Sequence, residues 1–230
     1  MSLRLFLDTA DPTAWAEWLP SGLFYGVTTN PTLLQRASQP CSLDNLRHLT
    51  REALALGSQE VHLQAWGGDA ESYYASGCEL AAIAPRRIWV KLPITRAGVA
   101  AAQRLIRSGI NVTFTACYEP AQVLLAAALG ADYIAPYLGR ICDQGRDGHA
   151  ELITMQQCLN GVRSPLRLLV ASLRQTSDLT RLAAAGLDTF TISPAIATAL
   201  FDCEATDQAA RQFEQDSRAV GLDRVSVATV

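Results

Sequence analysis

The sequence predicts a (β/α)8 barrel, a TIM barrel folded as a single domain over residues 1–230, with an extra C-terminal helix and tail over 204–230. Three observations carry that expectation. Short β-rich runs alternate from end to end with longer Ala-, Leu-, Gln- and Arg-rich stretches of helical period, the βαβα pattern of a parallel sheet. Eight such units fit into 230 residues, a length at which α/β barrels commonly form one unit. No Pro/Ser-rich linker, low-complexity tract or composition break divides the chain.

In chain order, the first strand runs from Leu3 to Asp8, before a helix from Pro12 to Leu19. The second runs from Tyr25 to Asn30 and precedes a helix from Ser42 to Ala55. The third, Glu60 to Trp66, leads to Asp69–Ala84, and the fourth, Ile88 to Leu92, to Gly98–Ser108. Asn111 to Cys117 then pairs with Glu119–Leu129, and Tyr133 to Leu138 with Ala150–Leu159. The last two units are Arg167 to Ser172 with Thr176–Ala185, and Thr189 to Ser193 with Ala195–Leu200. An amphipathic stretch, Asp207 to Arg218, is left over, available to cap the barrel or cover a neighbouring subunit.

Strand parity says more than strand count. Residues two apart share a face, so the fifth strand sets Val112, Phe114 and Ala116 against Asn111, Thr113, Thr115 and Cys117. The eighth sets Phe190 and Ile192 against Thr189, Thr191 and Ser193, and Thr28 with Asn30, His62 with Gln64, and Ala135 with Tyr137 fall together likewise. A barrel turns its greasy face to the helices and its polar set inward. The last polar residue of each strand (Asp8, Asn30, Gln64, Lys91, Thr115, Tyr137, Ser172) is then expected at the C-terminal mouth, where barrels carry their chemistry. A barrel interior plugged by mutually satisfied polar groups is the blander alternative.

Composition excludes several classes. Hydrophobic residues make up 49% and charged residues 18%, a globular balance, and a net charge of -3 gives no basic excess, so a surface for nucleic acid or anionic membranes is not expected. The six cysteines are scattered without a Cys-x-x-Cys pair, and no leader-like or membrane-spanning apolar run occurs; both point to a cytoplasmic protein. His48, His62 and His149 have no carboxylate or cysteine at metal-ligand spacing, so no metal or other cofactor is expected. His62 reads as barrel filling, Cys117 as a small core residue, and Asp143-Gln-Gly-Arg-Asp-Gly148 as a turn before a helix.

The 19 basic residues comprise 18 arginines and one lysine, Lys91, set in the apolar strand Ile88-Trp-Val-Lys-Leu-Pro93. A charge there is costly unless used or paired. Arginine serves at least as well as an ion-pair partner or anion binder, but it cannot lose a proton near neutral pH and attack a carbonyl. The lone lysine therefore points to a Schiff-base amine, with an ion pair or an anion-binding point charge as alternatives. Burial lowers an amine's pKa from about 10.4, whereas an ionised Asp8 nearby opposes the shift.

The segments Phe6-Leu-Asp-Thr-Ala10, Gly26-Val-Thr-Thr-Asn-Pro31, Val90-Lys-Leu-Pro93, Ala135-Pro-Tyr-Leu-Gly-Arg140 and Val170-Ala-Ser-Leu-Arg174 together resemble the transaldolase family in its short form, which includes fructose-6-phosphate aldolases. The resemblance spans nearly the whole chain. It implies that Lys91 forms the imine, Asp8 moves a proton at the sugar hydroxyl, Thr28 and Asn30 hold substrate hydroxyls, and Thr115 positions a water. It also implies carbohydrate metabolism and homo-oligomers, pentamers or decamers. Transaldolases of the family carry Glu where Gln64 stands and Phe where Tyr137 stands; the aldolase branch resembles this chain at both positions. Leu138-Gly139-Arg140 and Arg174 look more like the transaldolase-type members. Ser172, Arg140 and Arg174, just past strand ends, are candidate phosphate binders. The expectation is a Schiff-base aldolase acting on a sugar or sugar phosphate, with a transaldolase and a non-catalytic phosphosugar-binding barrel as rivals.

Overall fold

A computed structural model describes residues 3–220. Eight strands form one parallel sheet: β1 (Arg4–Asp8), β2 (Gly26–Thr28), β3 (Glu60–Gln64), β4 (Ile88–Pro93), β5 (Asn111–Cys117), β6 (Tyr133–Pro136), β7 (Arg167–Leu168) and β8 (Thr189–Ile192). The helices are α1 (Pro12–Trp18), α2 (Pro31–Arg36), α3 (Leu43–Ala55), α4 (Ala70–Ala81), α5 (Arg96–Arg107), α6 (Gln122–Leu129), α7 (Leu138–Asp143), α8 (Gly148–Gly161), α9 (Thr176–Ala184), α10 (Pro194–Ala199) and α11 (Glu204–Ala219). Strands pair in sequence order from β1 to β7, and β8 pairs with β1. The seam between β7 and β8 is closed by Val170, whose N–H donates to the Thr189 carbonyl at 3.0 Å while its own carbonyl accepts from Thr191 N–H at 2.9 Å. The result is the nearly closed (β/α)8 barrel that the strand and helix alternation predicts.

Parity sorts the side chains into two cores. Leu7, Val27, Leu63, Val90, Leu92, Phe114, Ile134 and Ile192 face the helices and pack with Leu46, Leu80, Leu105, Met155 and Leu182. Inside the barrel a separate cluster joins Phe6, Tyr133, Ala135, Leu169 and Ala171, with Tyr25, Trp89 and Tyr137 against it. The interior is therefore less polar than the alternation suggests. Towards the N-terminal ends of the strands it is a plug: Glu60 accepts from Arg4 at 3.1 Å and lies 3.2 Å from His62 Nε2, and His62 Nδ1 lies 2.9 Å from the Thr113 hydroxyl. His62 is fully buried and stacked on Trp89, the barrel-filling role expected of it.

One face assignment is corrected. In β5 the register slips by one residue between Phe114 and Cys117, and Ala116 has φ +56°. Such a bulge inverts the alternation beyond it, so Cys117 leaves the Thr113–Thr115 face and joins the helix-side core.

Helix ends follow local chemistry. Ser42 and Asp69, expected as first helical residues, are N-caps, accepting from Asn45 N–H at 3.3 Å and Ser72 N–H at 2.8 Å. The Gln122 side chain accepts from the N–H groups of Tyr118 and Glu119 and delays α6 to Gln122. Two six-residue helices, α2 and α7, lie where strand ends were expected to run on into loop. None of the described helices is long and apolar enough to cross a membrane. Helix α11 contains no buried residue, and residues 221–230 of the expected tail lie outside the described residues.

Candidate active site

At the C-terminal mouth lies a cavity of about 430 Å³. Of the ten residues singled out from sequence, eight line it: Asp8, Thr28, Asn30, Lys91, Tyr137, Arg140, Ser172 and Arg174. They come from distant segments, because a barrel brings all its strand ends to one rim.

Lys91 is 5% exposed, and its Nζ donates to the Thr29 carbonyl at 2.8 Å. Burial pushes its pKa below the ordinary lysine value and outweighs the opposing pull of Asp8. The Asp8 carboxyl is displaced upward, first by burial, with Lys91, a hydrogen bond from Thr28, Arg36 and Arg140 acting against the rise. Thr28 Oγ1 donates to Asp8 Oδ1 at 2.6 Å and lies 2.6 Å from Thr191 Oγ1. A hydroxyl has one proton, so Thr191 donates to Thr28 and the relay runs Thr191 to Thr28 to Asp8.

Asn30 lies beyond β2, as the N-cap of α2: its Oδ1 accepts from Leu33 N–H at 3.0 Å, leaving the amide nitrogen free to donate. Tyr137 opens α7, with Arg140 over its ring at 4.9 Å and Tyr118 edge-on at 5.7 Å. Burial pushes its phenol pKa up, against a backbone hydrogen bond at Ala116 and the charge of Arg140. Ser172 sits in the left-handed region at φ +60° and accepts from Gly139 N–H at 2.9 Å through its carbonyl. A Cβ at position 139 would stand 2.5 Å from that oxygen and 2.8 Å from Arg174 Nε, so only glycine lets α7 come this close.

Gln64 and Thr115 are adjacent to the cavity but absent from its lining. Gln64 Nε2 donates to the Lys91 carbonyl at 3.0 Å and its Oε1 accepts from Thr115 Oγ1 at 3.3 Å, so the pair braces the lysine's backbone. Sequence reasoning missed Arg36, Asp143, Thr191 and Ser193, which also line the cavity. Thr191 and Ser193 were on the polar face of the eighth strand, a usable signal; Arg36 and Asp143 belong to the two unpredicted short helices. Asp143 forms an ion pair with Arg174, so that guanidinium is already engaged.

The chain is similar to known proteins over most of its length. The family model described as Transaldolase/Fructose-6-phosphate aldolase matches residues 5–229. A protein named probable transaldolase from Phenylobacterium zucineum (strain HLK1) is 33% identical over 93% of this chain and 96% of its own length. Proteins of the same name from Caulobacter sp. (strain K31) and Hyphomonas neptunium (strain ATCC 15444) are 33% and 32% identical, over 95% and 96% of this chain and 98% and 100% of theirs. Among solved structures, an arginine-to-lysine mutant of flavocytochrome B2 superimposes with a TM-score of 0.56 at 12% identity, over 84% of this chain and 57% of that one, a likeness of fold alone. A match that spans nearly every element of the barrel, shared with relatives of almost equal length, places the chain in the transaldolase/fructose-6-phosphate aldolase family.

Proposed function

We propose that this protein is a class I aldolase resembling fructose-6-phosphate aldolase, reversibly cleaving a ketose or ketose phosphate to dihydroxyacetone and an aldehyde such as glyceraldehyde 3-phosphate. The observation that carries the reading is Lys91, the sole lysine, buried at a cavity rim with its ammonium disfavoured. The neutral amine attacks the ketone carbon, and loss of water leaves a protonated imine. Asp8, whose pKa burial raises against the pull of Lys91, takes the proton of the hydroxyl two carbons further along as the carbon–carbon bond breaks. The aldehyde departs and the electron pair rests in an enamine. Protonation of the enamine from a water held near Tyr137, with Gln64 and Thr115 behind it, followed by hydrolysis, frees dihydroxyacetone and the amine. Thr28 and Asn30 hold substrate hydroxyls, and Ser172, Arg140 and Arg174 an acceptor phosphate.

Gln64 and Tyr137 favour release of the three-carbon unit over its transfer. The relatives' shared name, probable transaldolase, supports the second reading, in which the enamine attacks another aldehyde. Borohydride with a ketose is expected to leave an adduct on Lys91, read by peptide mass spectrometry. Lys91→Arg and Lys91→Met both lose the adduct and at least about a thousandfold in turnover; retained turnover in either contradicts the imine. Free dihydroxyacetone formed without an acceptor aldehyde assigns the aldolase, and its absence the transaldolase. With no adduct in the wild type, a non-catalytic phosphosugar-binding barrel is left.

The proposal extends to assembly and location. Helix α11 buries none of its 16 residues yet carries Phe213, 71% exposed, so we take the working form to be a homo-oligomer in which another copy covers it. Six unbridged cysteines suit the cytoplasm.

A further inference from the structure

The mouth of the cavity carries cations on two sides of the barrel. Arg140 lies on α7, directly after β6, and Arg174 follows the β7 segment, whereas Arg36 ends α2, the helix after β2. In a ring of eight strands in sequence order, β2 and β6 stand four strands apart and face each other across the barrel. Lys91, on β4, lies midway between them along the ring.

Arg36 differs from the other two in its surroundings. Thr32, Leu33 and Arg36 all line the cavity, and positions i and i+4 share a helix face, so this arginine belongs to the side of α2 that looks into the mouth. Arg174 is engaged by Asp143, and Arg140 by the Tyr118 hydroxyl and the Tyr137 ring. Arg36 has no hydrogen-bond or ion-pair partner among the described residues, although its charge acts on the buried Asp8 carboxyl more strongly than that of Arg140. Its side of the mouth also holds Thr28 and Asn30, the residues proposed to hold substrate hydroxyls, and lies opposite the proposed phosphate binders Arg140 and Arg174. A ketose bound through Lys91 thus directs its far phosphate to Arg140 and Arg174, and its first carbon towards Arg36.

We infer that Arg36 is a specificity-determining residue that holds an anionic group, such as a phosphate, on the donor end of the ketose, so that the site also accepts ketoses phosphorylated at both ends, whose cleavage releases dihydroxyacetone phosphate in place of dihydroxyacetone. This rests on the Schiff-base reading of Lys91. A planar guanidinium without a competing carboxylate is the side chain best suited to phosphate oxygens. Arg36 also occupies the last turn of α2, where a cation offsets free carbonyls; that role alone affects stability and not ligand preference.

The test uses ligands that occupy the donor end only. Dihydroxyacetone and dihydroxyacetone phosphate each form an imine with the Lys91 amine by loss of water, and borohydride reduces it to a stable secondary amine. The readout is the concentration of each ligand that gives half-maximal adduct on the full-length protein. Wild type is expected to trap the phosphorylated ligand at the lower concentration. Arg36→Gln raises the ratio of phosphorylated to unphosphorylated half-trapping concentrations by about 10- to 100-fold, the loss of a charge-assisted bidentate contact. Arg36→Lys keeps part of the preference, and Arg140→Gln still shows it. A wild type with no preference, or an Arg36→Gln protein that keeps it, overturns the assignment. Absence of any adduct at Lys91 with both ligands overturns the imine reading and this inference with it.

Discussion

Lys91 is subject to two opposed influences: burial, which favours the free amine, and Asp8, which favours the ammonium, with burial the stronger. Asp8→Asn removes the opposing influence, so the lysine pKa falls further. Borohydride trapping by this variant is expected to reach its plateau at lower pH than in wild type, even though turnover drops; a profile displaced to higher pH contradicts the coupling. The same displacement is a statement about stability. The folded pKa lies below the ordinary 10.5, so between those two values the unfolded chain binds the extra proton and stability rises with pH. Lys91→Met should flatten that rise in urea midpoints measured across the window. Cys117 shows burial acting on an acid: its thiol is pushed up to about 12, which leaves almost no thiolate near neutral pH and no nucleophile there.

Strand β2 is only three residues long, yet it carries Thr28 and positions the next residue, Thr29, whose carbonyl holds Lys91. Its first residue, Gly26, is tightly enclosed: a Cβ there would stand 2.3 Å from the Glu60 carbonyl oxygen and 2.9 Å from Phe6 Cε1. The Glu60 oxygen belongs to the backbone of β3 and cannot swing aside. Gly26→Ala is therefore expected to cost about 1–3 kcal/mol or more by urea unfolding and to weaken substrate binding, because β2 must part from β3. A midpoint equal to wild type would show that the two strands have room to give. The β5 bulge illustrates how much of an element is legible in sequence. Residues 111 to 114 obey alternation, but no local rule marks Ala116 for the left-handed region, since its conformation answers to the path of β6. The short helices α2 and α7 escaped notice because six residues are too few to display a helical period.

Across the whole molecule the barrel is divided by function. Its N-terminal half is filled by Phe6, Tyr133, Trp89 and the Arg4–Glu60–His62 network, which give the strands a rigid core, while the C-terminal half opens into the cavity. Helix α11 takes no part in either core. Removal of residues 204–230 is expected to leave a folded barrel of lower molecular mass in analytical ultracentrifugation, because the surface proposed to join copies is gone. An unaltered assembly, or a wild type that sediments as a monomer, would exclude α11 as the joining element.

The sequence by itself determined what local physics controls. Period-two alternation and helix-forming stretches place the eight strands in order, and the scarcity of lysine singles out Lys91. Strand ends named five of the residues that line the cavity: Asp8, Asn30, Lys91, Tyr137 and Ser172. Tertiary structure alone decided the rest: that Gln64 and Thr115 brace Lys91 from beside the cavity, that Asp143 engages Arg174, that Arg36 faces the mouth, and that Cys117 turns to the helices. The reason is physical. Which face a strand residue takes follows from its neighbours in sequence until a bulge intervenes, whereas the partner a side chain meets past the strand end depends on which distant segments barrel closure brings to the same rim.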